Sequence, residues 1–506
     1  MIKTKINRHD LEYYLYAMIK AFYPKAPVLA PDTAEHNIPE DEEGENEDII
    51  SCSINEDEFE ISINKGLYFT KDYFEKFSII SKSEENEFKD EIRGYIYDVL
   101  TGYTERKLEW GNLTGIRPTK LYLNKMIEEQ KKINENDEYP DNISMAARAT
   151  VIEDMMRIHS TLSKKGNLAA DIALTEKKII DGVHTNNGYS LYIGIPFCPS
   201  RCLYCSFTSN PIFMYKACIN DYINALKKEI TVTNEIMKDY FLDSIYIGGG
   251  TPTALSASEI DELLGIVTAV MPMDNVKEFT VEAGRPDSIT KEKLEVIRKY
   301  PVTRISINPQ TMKDETLRLI GRNHSVSDFE NAYEMARKAG FDNINMDIIL
   351  GLPGETIEDV KNTIDKIITM TPDSLTVHSL AIKRASRLKE VMDEMGDIRT
   401  LDFDEAMDYA TTKAMDIGLI PYYLYRQKEM GGNLENTGFA SKGKFGIYNI
   451  VMMEEVQSIV ACGAGTVTKR VFDDGHIERC DTVKDVGLYI SKIEEMIDRK
   501  RQLFKD

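Results

Sequence analysis

The sequence predicts an α/β fold: a partial (β/α)6 barrel, preceded by an α+β N-terminal module and followed by a smaller C-terminal domain. Three observations lead there. From Ser190 onward, short β-rich runs alternate with longer amphipathic ones, the pattern of parallel strands joined by right-handed crossovers. The β-rich runs number six, whereas a complete barrel of this kind has eight. Polar, small or sulfur-bearing residues recur where those runs end, and parallel barrels keep their chemistry at the C-terminal strand ends.

The N-terminal module spans 1–185. Apolar residues return at helical spacing through "DLEYYLYAMIKAF" and "EFKDEIRGYIYDVL". Between them "DIISCSI" and "EFEISIN" read as strands, and the acidic "EHNIPEDEEGENED" reads as an exposed loop. After "WGNLTGIRPTKLYL" two further helical stretches end near "HSTLSKKGN". The core, 186–395, offers the strands "SLYIGIP", "DSIYIGGG", "KEFTVEA", "TRISIN", "NINMDIIL" and "SLTVHSL". Helical runs such as "DYINALKKEITVTNEIMK" and "DFENAYEMARKAG" separate them. The segment 396–506 begins with the helical "DFDEAMDYATTKAMDIG", passes through "PYYLYRQ" and turns strand-like at "SIVACGAGTVTKRVF", which reads as a C-terminal domain or lid.

Bulk properties narrow the function. The 506 residues carry a formal charge of −22, which argues against broad binding to nucleic acid or anionic membranes. No apolar run approaches the roughly 20 residues a membrane span needs. The opening "MIKTKINRHDLEYYLYAMIKAFYP" lacks an apolar signal core, so a cytoplasmic protein is expected. Seven cysteines without regular spacing are no disulfide framework. Clustered thiols in a reducing compartment read first as metal ligands.

Three of those thiols, Cys198, Cys202 and Cys205, stand in "CPSRCLYCSF". Pro196 and Pro199 discourage a continuing strand, so they occupy an irregular loop. A [4Fe–4S] cluster normally takes four thiolates; three would leave one iron open. The alternative is a structural zinc site completed by a histidine or a distant cysteine. Zinc sites more often arrive as paired ligands, and no histidine flanks this loop. Cys52, Cys218, Cys462 and Cys480 read as packed thiols.

A Cys-x3-Cys-x2-Cys loop after the first barrel strand resembles the radical S-adenosylmethionine superfamily. "YIGIPFCPSRCLYCSF", "GGGTPT", "NMDIILGLPGET" and "ACGAGT" resemble its oxygen-independent coproporphyrinogen III oxidase group. "WGNLTGIRPTK", "RQKEMGGNLENTGF" and "YNIVMMEEVQSIVACGAG" are similar to the HemZ-type branch, the coproporphyrinogen dehydrogenases. The resemblance implies a [4Fe–4S] cluster on Cys198, Cys202 and Cys205, with S-adenosyl-L-methionine on the open iron. It implies Tyr192 beside cluster and cosubstrate, and Gly249, Gly250 and Thr251 around the methionyl ammonium. Glu282, Gln310, Arg322 and Asp347 would bind the cosubstrate, Ala381 would touch it through its backbone, and His324 would be structural.

The implied reaction is oxidative decarboxylation of two propionates of coproporphyrinogen III to the vinyl groups of protoporphyrinogen IX, with an electron donor such as flavodoxin or ferredoxin. Arg384, Arg387, Arg426 and Arg117 are candidates for pairing with the propionates. Two departures stand out: the best-studied oxidases have histidine where Gly194 is and cysteine where Phe207 is. The haem-chaperone branch has a His-Asn-x-x-Tyr-Trp segment in its C-terminal half, whereas the single tryptophan here is Trp110. A haem-binding carrier is therefore the second reading. A protein using its cluster only structurally is the third.

Overall fold

The computed structural model describes residues 1–505 except 25, 30–47, 82–83, 115–116, 135–141, 382–387, 389–400 and 427–433. They form two compact units, Met1–Ala173 with Leu424–Glu435, and Leu174–Tyr423 with Asn436–Asp506.

The first unit contains β1 (Ile2–Ile6), α1 (His9–Phe22), β2 (Asp48–Ile54), β3 (Glu58–Asn64), β4 (Tyr73–Ser78), α2 (Glu85–Thr104), α3 (Pro118–Ile133) and α4 (Met145–His159). The sheet order is β1-β2-β3-β4, with β1 and β2 parallel and the rest antiparallel. Strict alternation in β3 buries Phe59, Ile61 and Ile63 in a core shared with Leu15, Met18, Ile92 and Ile96 of α1 and α2. Most of the acidic stretch lies outside the described residues. Its last member, Asp48, is also the first residue of the expected strand "DIISCSI"; it opens β2 and is buried. Its carboxylate accepts the backbone N–H groups of Tyr68 and Phe69, both at 2.7 Å. Those bonds satisfy a charge that burial would otherwise penalise.

Helix α5 (Ser163–Ile180) leads towards the second unit's strands: β5 (Gly188–Ile195), β6 (Phe241–Gly249), β7 (Glu278–Glu282), β8 (Arg304–Ser306), β9 (Ile344–Leu350), β10 (Ser374–Ser379), β11 (Ile420–Tyr425), β12 (Asn436–Ala440), β13 (Ser458–Cys462), β14 (Val467–Val471) and β15 (Ile477–Asp481). They lie in one mixed sheet in the order β11-β12-β10-β9-β8-β7-β6-β5-β13-β14-β15. The six expected barrel strands are β5 to β10, neighbours in sequence order and parallel throughout. Apolar residues alternate with polar or small ones along them, as in β7 (Phe279 and Val281 between Glu278, Thr280 and Glu282); in β5, Tyr189, Leu191, Ile193 and Ile195 share one face and are all fully buried.

The intervening helices are α6 (Ile219–Ile236), α7 (Ala257–Val270), α8 (Lys291–Arg298), α9 (Asp314–Leu319), α10 (Val326–Lys338) and α11 (Ile357–Thr369). Capping boxes start three of them: Ser256 with Glu259, Ser325 with Asp328, and Thr356 with Asp359. The last elements are α12 (Phe403–Asp416), α13 (Ile447–Glu454), α14 (Val486–Ser491) and α15 (Ile493–Leu503). Strands of the segment 396–506 extend the core sheet at both edges: β12 pairs antiparallel with β10, and β13 pairs parallel with β5. Both edges of the six-stranded core thus find partners for their backbone N–H and C=O groups. No helix among the described residues is long and apolar enough to cross a membrane.

Candidate active site at the strand ends

The three clustered cysteines lie just past β5. Phe197–Cys198 pairs with Asn210–Pro211, and the Asn210 N–H donates to Pro196 O at 2.8 Å, which closes the intervening loop. Two other strand-end segments hold it. Leu203 N–H donates to Ile320 O (3.0 Å), and Ser200 Oγ donates to Gly321 O (3.2 Å). Arg285, three residues beyond Glu282 at the end of β7, donates to Ser200 O (2.8 Å) and to Cys202 Sγ (3.6 Å). The rest of its guanidinium is clamped on Asp287 (2.9 and 2.6 Å). Cys198 and Cys202 are buried, and Cys205 is half-buried. Burial pushes the Cys198 thiol up to about 11.

The glycine run after β6 fits against this loop. Gly249 has φ of +103°, a conformation that favours glycine. Gly250 N–H and Thr251 N–H donate to Ile195 O and Phe197 O, each at 2.7 Å, and Thr251 Oγ1 donates to Cys198 Sγ at 3.4 Å. A Cβ on Gly250 would stand 2.5 Å from Phe197 O and 3.0 Å from Cys198 Sγ. Glycine here is a requirement of backbone approach.

The ends of the next strands are acidic. Tyr192 of β5 and Tyr246 of β6 occupy paired positions, and their rings stack (centroids 6.1 Å apart), with Tyr448 of α13 stacked 4.5 Å from Tyr246. Tyr246 donates its hydroxyl to Glu282 at the end of β7. Burial, with a further contribution from the Asp347 charge, lifts the Glu282 carboxyl to about 7 against the opposing Tyr246 bond. Asp347 of β9 accepts from Asn345 (2.7 Å) and Asn308 (2.8 Å), with His378 at 3.8 Å. Although burial opposes it, hydrogen bonding and the neighbouring His378 hold Asp347 below the ordinary carboxylate range.

Gln310 follows β8 in the left-handed region, φ +67°, and exchanges backbone bonds with β9: Gln310 N–H to Asp347 O, and Ile349 N–H to Gln310 O. The side-chain oxygens of Gln310 and Asn308 are buried with no hydrogen-bond partner. Arg322 is buried, donating to Asn308 O (2.7 Å) and to Tyr204 (3.2 Å) on the cysteine loop. It ties the β8 end to the thiols. His324 is buried beside it with neither ring nitrogen bonded, and burial lowers its pKa to about 4.

Tyr192, Gly249, Gly250, Thr251, Glu282, Gln310, Arg322 and Asp347 therefore all lie at or just beyond the C-terminal ends of neighbouring strands, with Gly250 and Thr251 against Cys198 and Arg322 bonded to Tyr204 of the cysteine loop. Ala381 sits one residue beyond Leu380, whose N–H continues the β10 pairing to Leu350 O. Arg384 and Arg387 lie outside the described residues. Arg426 is buried in the first unit, stacked 5.6 Å over Trp110 and donating to Leu113 O at 2.7 Å. Arg117 precedes α3 as its N-cap residue.

The donor set can be tested against a ligand. Two largely buried carboxylates repel one another, and two buried amide oxygens want donors. A molecule bringing positive charge with N–H and O–H groups meets all of these needs. S-adenosylmethionine, with its sulfonium, ammonium and ribose hydroxyls, fits. The three free thiols share one loop, two of them buried and one half-buried, and would supply three of the four protein ligands that a [4Fe–4S] cluster normally takes.

The Radical SAM superfamily model matches residues 192–367. The chain is 35% identical over 461 residues to the oxygen-independent coproporphyrinogen-III oxidase-like protein HemZ of Bacillus subtilis, covering 89% of each chain. This chain belongs to the radical SAM superfamily, in its HemZ-like branch. Radical SAM proteins use a [4Fe–4S] cluster and S-adenosylmethionine. The chain is also 37% identical over 195 residues to the heme chaperone HemW of B. subtilis, which covers 38% of this chain and 51% of that one. Among solved structures, coproporphyrinogen III oxidase (HemN) from Escherichia coli is similar over 64% of this chain and 73% of its own, with TM-score 0.49 and 19% identity.

Sequence reasoning missed Arg285, Tyr246, Tyr448 and Asn308. A signal existed for Tyr246: "YIG" occurs in both β5 and β6, and parallel neighbours in register place the two rings side by side. For Arg285 the only hint was "GRPD" directly after β7. Nothing local marks Tyr448, which reaches the stack from α13.

Proposed function

We propose that this HemZ-like radical SAM protein is an oxidoreductase that converts coproporphyrinogen III to protoporphyrinogen IX without oxygen. The observation that carries the substrate assignment is the extent of the HemZ match, 89% of both chains. The HemW match stops at about half of that protein. When bound, the cluster and S-adenosylmethionine would supply abstraction of a hydrogen atom from the propionate carbon next to the ring; release of carbon dioxide and transfer of the remaining unpaired electron to an external one-electron acceptor would leave a vinyl group.

In this reading Cys198, Cys202 and Cys205 hold three irons, and Arg285 stabilises the Cys202 thiolate. Backbone groups at Gly249, Gly250 and Thr251 receive the methionyl ammonium. Glu282 and Asp347 balance the positive charge of the cosubstrate, and Gln310 accepts from its hydroxyl groups. The Tyr192–Tyr246–Tyr448 stack walls the site from water. An electron-transfer protein such as flavodoxin or ferredoxin supplies the electron, and the protein works in the cytoplasm.

The test is anaerobic reconstitution with iron and sulfide, reductant, S-adenosylmethionine and coproporphyrinogen III, followed by porphyrin fluorescence after oxidation. Protoporphyrin that disappears in Cys202→Ala is expected. Deoxyadenosine formation with unchanged coproporphyrin would remove the substrate and keep the chemistry. Tight haem binding with neither product would move the protein to the chaperone reading, which the HemW match supports.

A further inference from the structure

Beside Tyr192 and Gly249 lies a pocket completed by Gly194, Phe207, Gly465 and Thr466, with no charged side chain in its lining. Its floor is set by one close approach. A Cβ placed on Gly194 would stand 2.5 Å from Thr466 Cγ2, while its next neighbours, Tyr192 Cε1 at 3.5 Å and Cys462 O at 3.6 Å, are ordinary contacts. The Thr466 methyl thus occupies the space that any side chain at 194 would need.

That methyl cannot swing away cheaply. Thr466 Oγ1 donates to Gly463 O at 2.8 Å, and Thr466 N–H donates to Thr482 Oγ1 at 2.9 Å. Thr482 Oγ1 donates to Gly463 O at 2.7 Å. The preceding turn is fixed in the same way: Gly463 N–H donates to Glu229 (2.8 Å), and Ala464 N–H donates to the Tyr222 hydroxyl (3.2 Å). Every one of these partners is buried. Rotating Thr466 would leave buried polar groups unpaired.

We propose that Gly194 and Thr466 are a matched, specificity-determining pair that sets the depth of this pocket, and that its occupant is an uncharged pyrrole edge of the tetrapyrrole. The inference rests on the tetrapyrrole reading above. A propionate carboxylate in this neutral lining would be desolvated without a partner; a methyl or other small alkyl substituent would not. Depth then discriminates between substituents, each methylene being worth roughly a few-fold in affinity.

The test is fluorescence titration of the reconstituted protein with two porphyrins, deuteroporphyrin (hydrogen at two ring positions) and mesoporphyrin (ethyl at the same two). Four proteins are compared: wild type, Gly194→Ala, Thr466→Ser and the double variant. Serine keeps the hydroxyl bonds and removes only the methyl. Thr466→Ser is expected to raise the mesoporphyrin-to-deuteroporphyrin affinity ratio by roughly threefold, the worth of about one methylene. Gly194→Ala should weaken both ligands by about tenfold or more, as overpacking costs predict. The double variant should recover binding to within about threefold of wild type, since serine removes the overlap. The affinity ratio is a readout that a purely structural role would not move. An unchanged ratio in Thr466→Ser, or no recovery in the double variant, overturns the pairing. A wild-type protein that binds neither porphyrin overturns the tetrapyrrole reading itself, and this inference with it.

Discussion

Tyr246 and Glu282 meet across adjacent parallel strands, with the phenol donating to a carboxyl whose pKa burial lifts to about 7. Without a ligand, the folded state holds that proton more tightly than the unfolded chain does. Stability from this group is therefore lost as pH rises from about 4.5 towards 7, because the native state must ionise a desolvated acid. A cationic ligand reverses the preference by pairing with the ionised form. Affinity for S-adenosylmethionine should increase with pH up to about 7 and then level off. In Glu282→Gln it should be weaker by about tenfold or more and flat over the same range. Glu355 is also lifted to about 7 by burial, so the difference between wild type and Glu282→Gln, measured by calorimetry across pH, isolates Glu282. A pH slope that survives in Glu282→Gln would assign the titration elsewhere.

Arg285 ties β7 to the cysteine loop through both Ser200 and Cys202. A charge-assisted hydrogen bond of this kind is worth about 1.5–3 kcal/mol. Arg285→Ala should fold, since the lost contacts are local, but should lose iron to a chelator markedly faster than wild type. Arg285→Lys should fall between them, because an ammonium cannot keep the two-pronged grip on Asp287 together with the loop. Iron release followed by chelator absorbance decides it; equal rates in all three proteins would show that the arginine only braces the loop.

Much of this site was legible before any coordinates. The six core strands are local apolar runs bounded by turn residues, and their order follows from crossovers that join parallel neighbours. The cysteine spacing and the glycine run are local as well. What could not be read depends on distant pairing. That β13 would pair with β5 and carry Thr466 to Gly194 is a relation between segments about 270 residues apart, and no periodicity encodes it. Asp48 belongs both to the acidic stretch, whose composition signals solvent, and to the expected strand "DIISCSI"; the strand wins, and three backbone donors, from Leu67, Tyr68 and Phe69, make its burial tolerable. Arg426 misled because a lone arginine after the aromatic run "PYYLY" of the C-terminal segment looks available for carboxylates, while its guanidinium is engaged with Trp110 and Leu113.

Gly250 is the most confined of the three strand-end glycines. Its missing Cβ would meet Phe197 O at 2.5 Å, Ile195 O at 2.8 Å and Cys198 Sγ at 3.0 Å. Two of these are backbone atoms in a buried strand end, which cannot yield without moving the first cysteine. Gly250→Ala should therefore reduce iron incorporation as well as S-adenosylmethionine cleavage. Gly354→Ala is the control: its Cβ would meet nothing within 4 Å, but its φ of +76° still carries a backbone cost. It should lose about 1 kcal/mol of stability and keep its iron. Iron and sulfide per chain after reconstitution separate the two.

Lys500 and Glu229 form an ion pair at 3.0 Å with both side chains essentially inaccessible. The lysine also donates to Thr233 (3.1 Å), and the carboxylate also accepts from Tyr489 and from the Gly463 N–H. The pair thus sits directly behind the turn that carries Thr466. Breaking a buried pair by removing one partner costs about 3–5 kcal/mol, mostly because the remaining charge is stranded. Lys500→Met should lower the melting temperature substantially. Adding Glu229→Gln should recover part of the loss, because glutamine keeps an acceptor for Gly463 and carries no charge. Since Gly463 remains bonded in the double variant, the 463–466 turn should hold its place and the KM for the tetrapyrrole should return towards wild type. In Lys500→Met alone, the KM should rise more than kcat falls. Steady-state assays at a temperature where both variants remain folded test this, and a KM unchanged in Lys500→Met would show that the ion pair stabilises the fold without shaping the pocket.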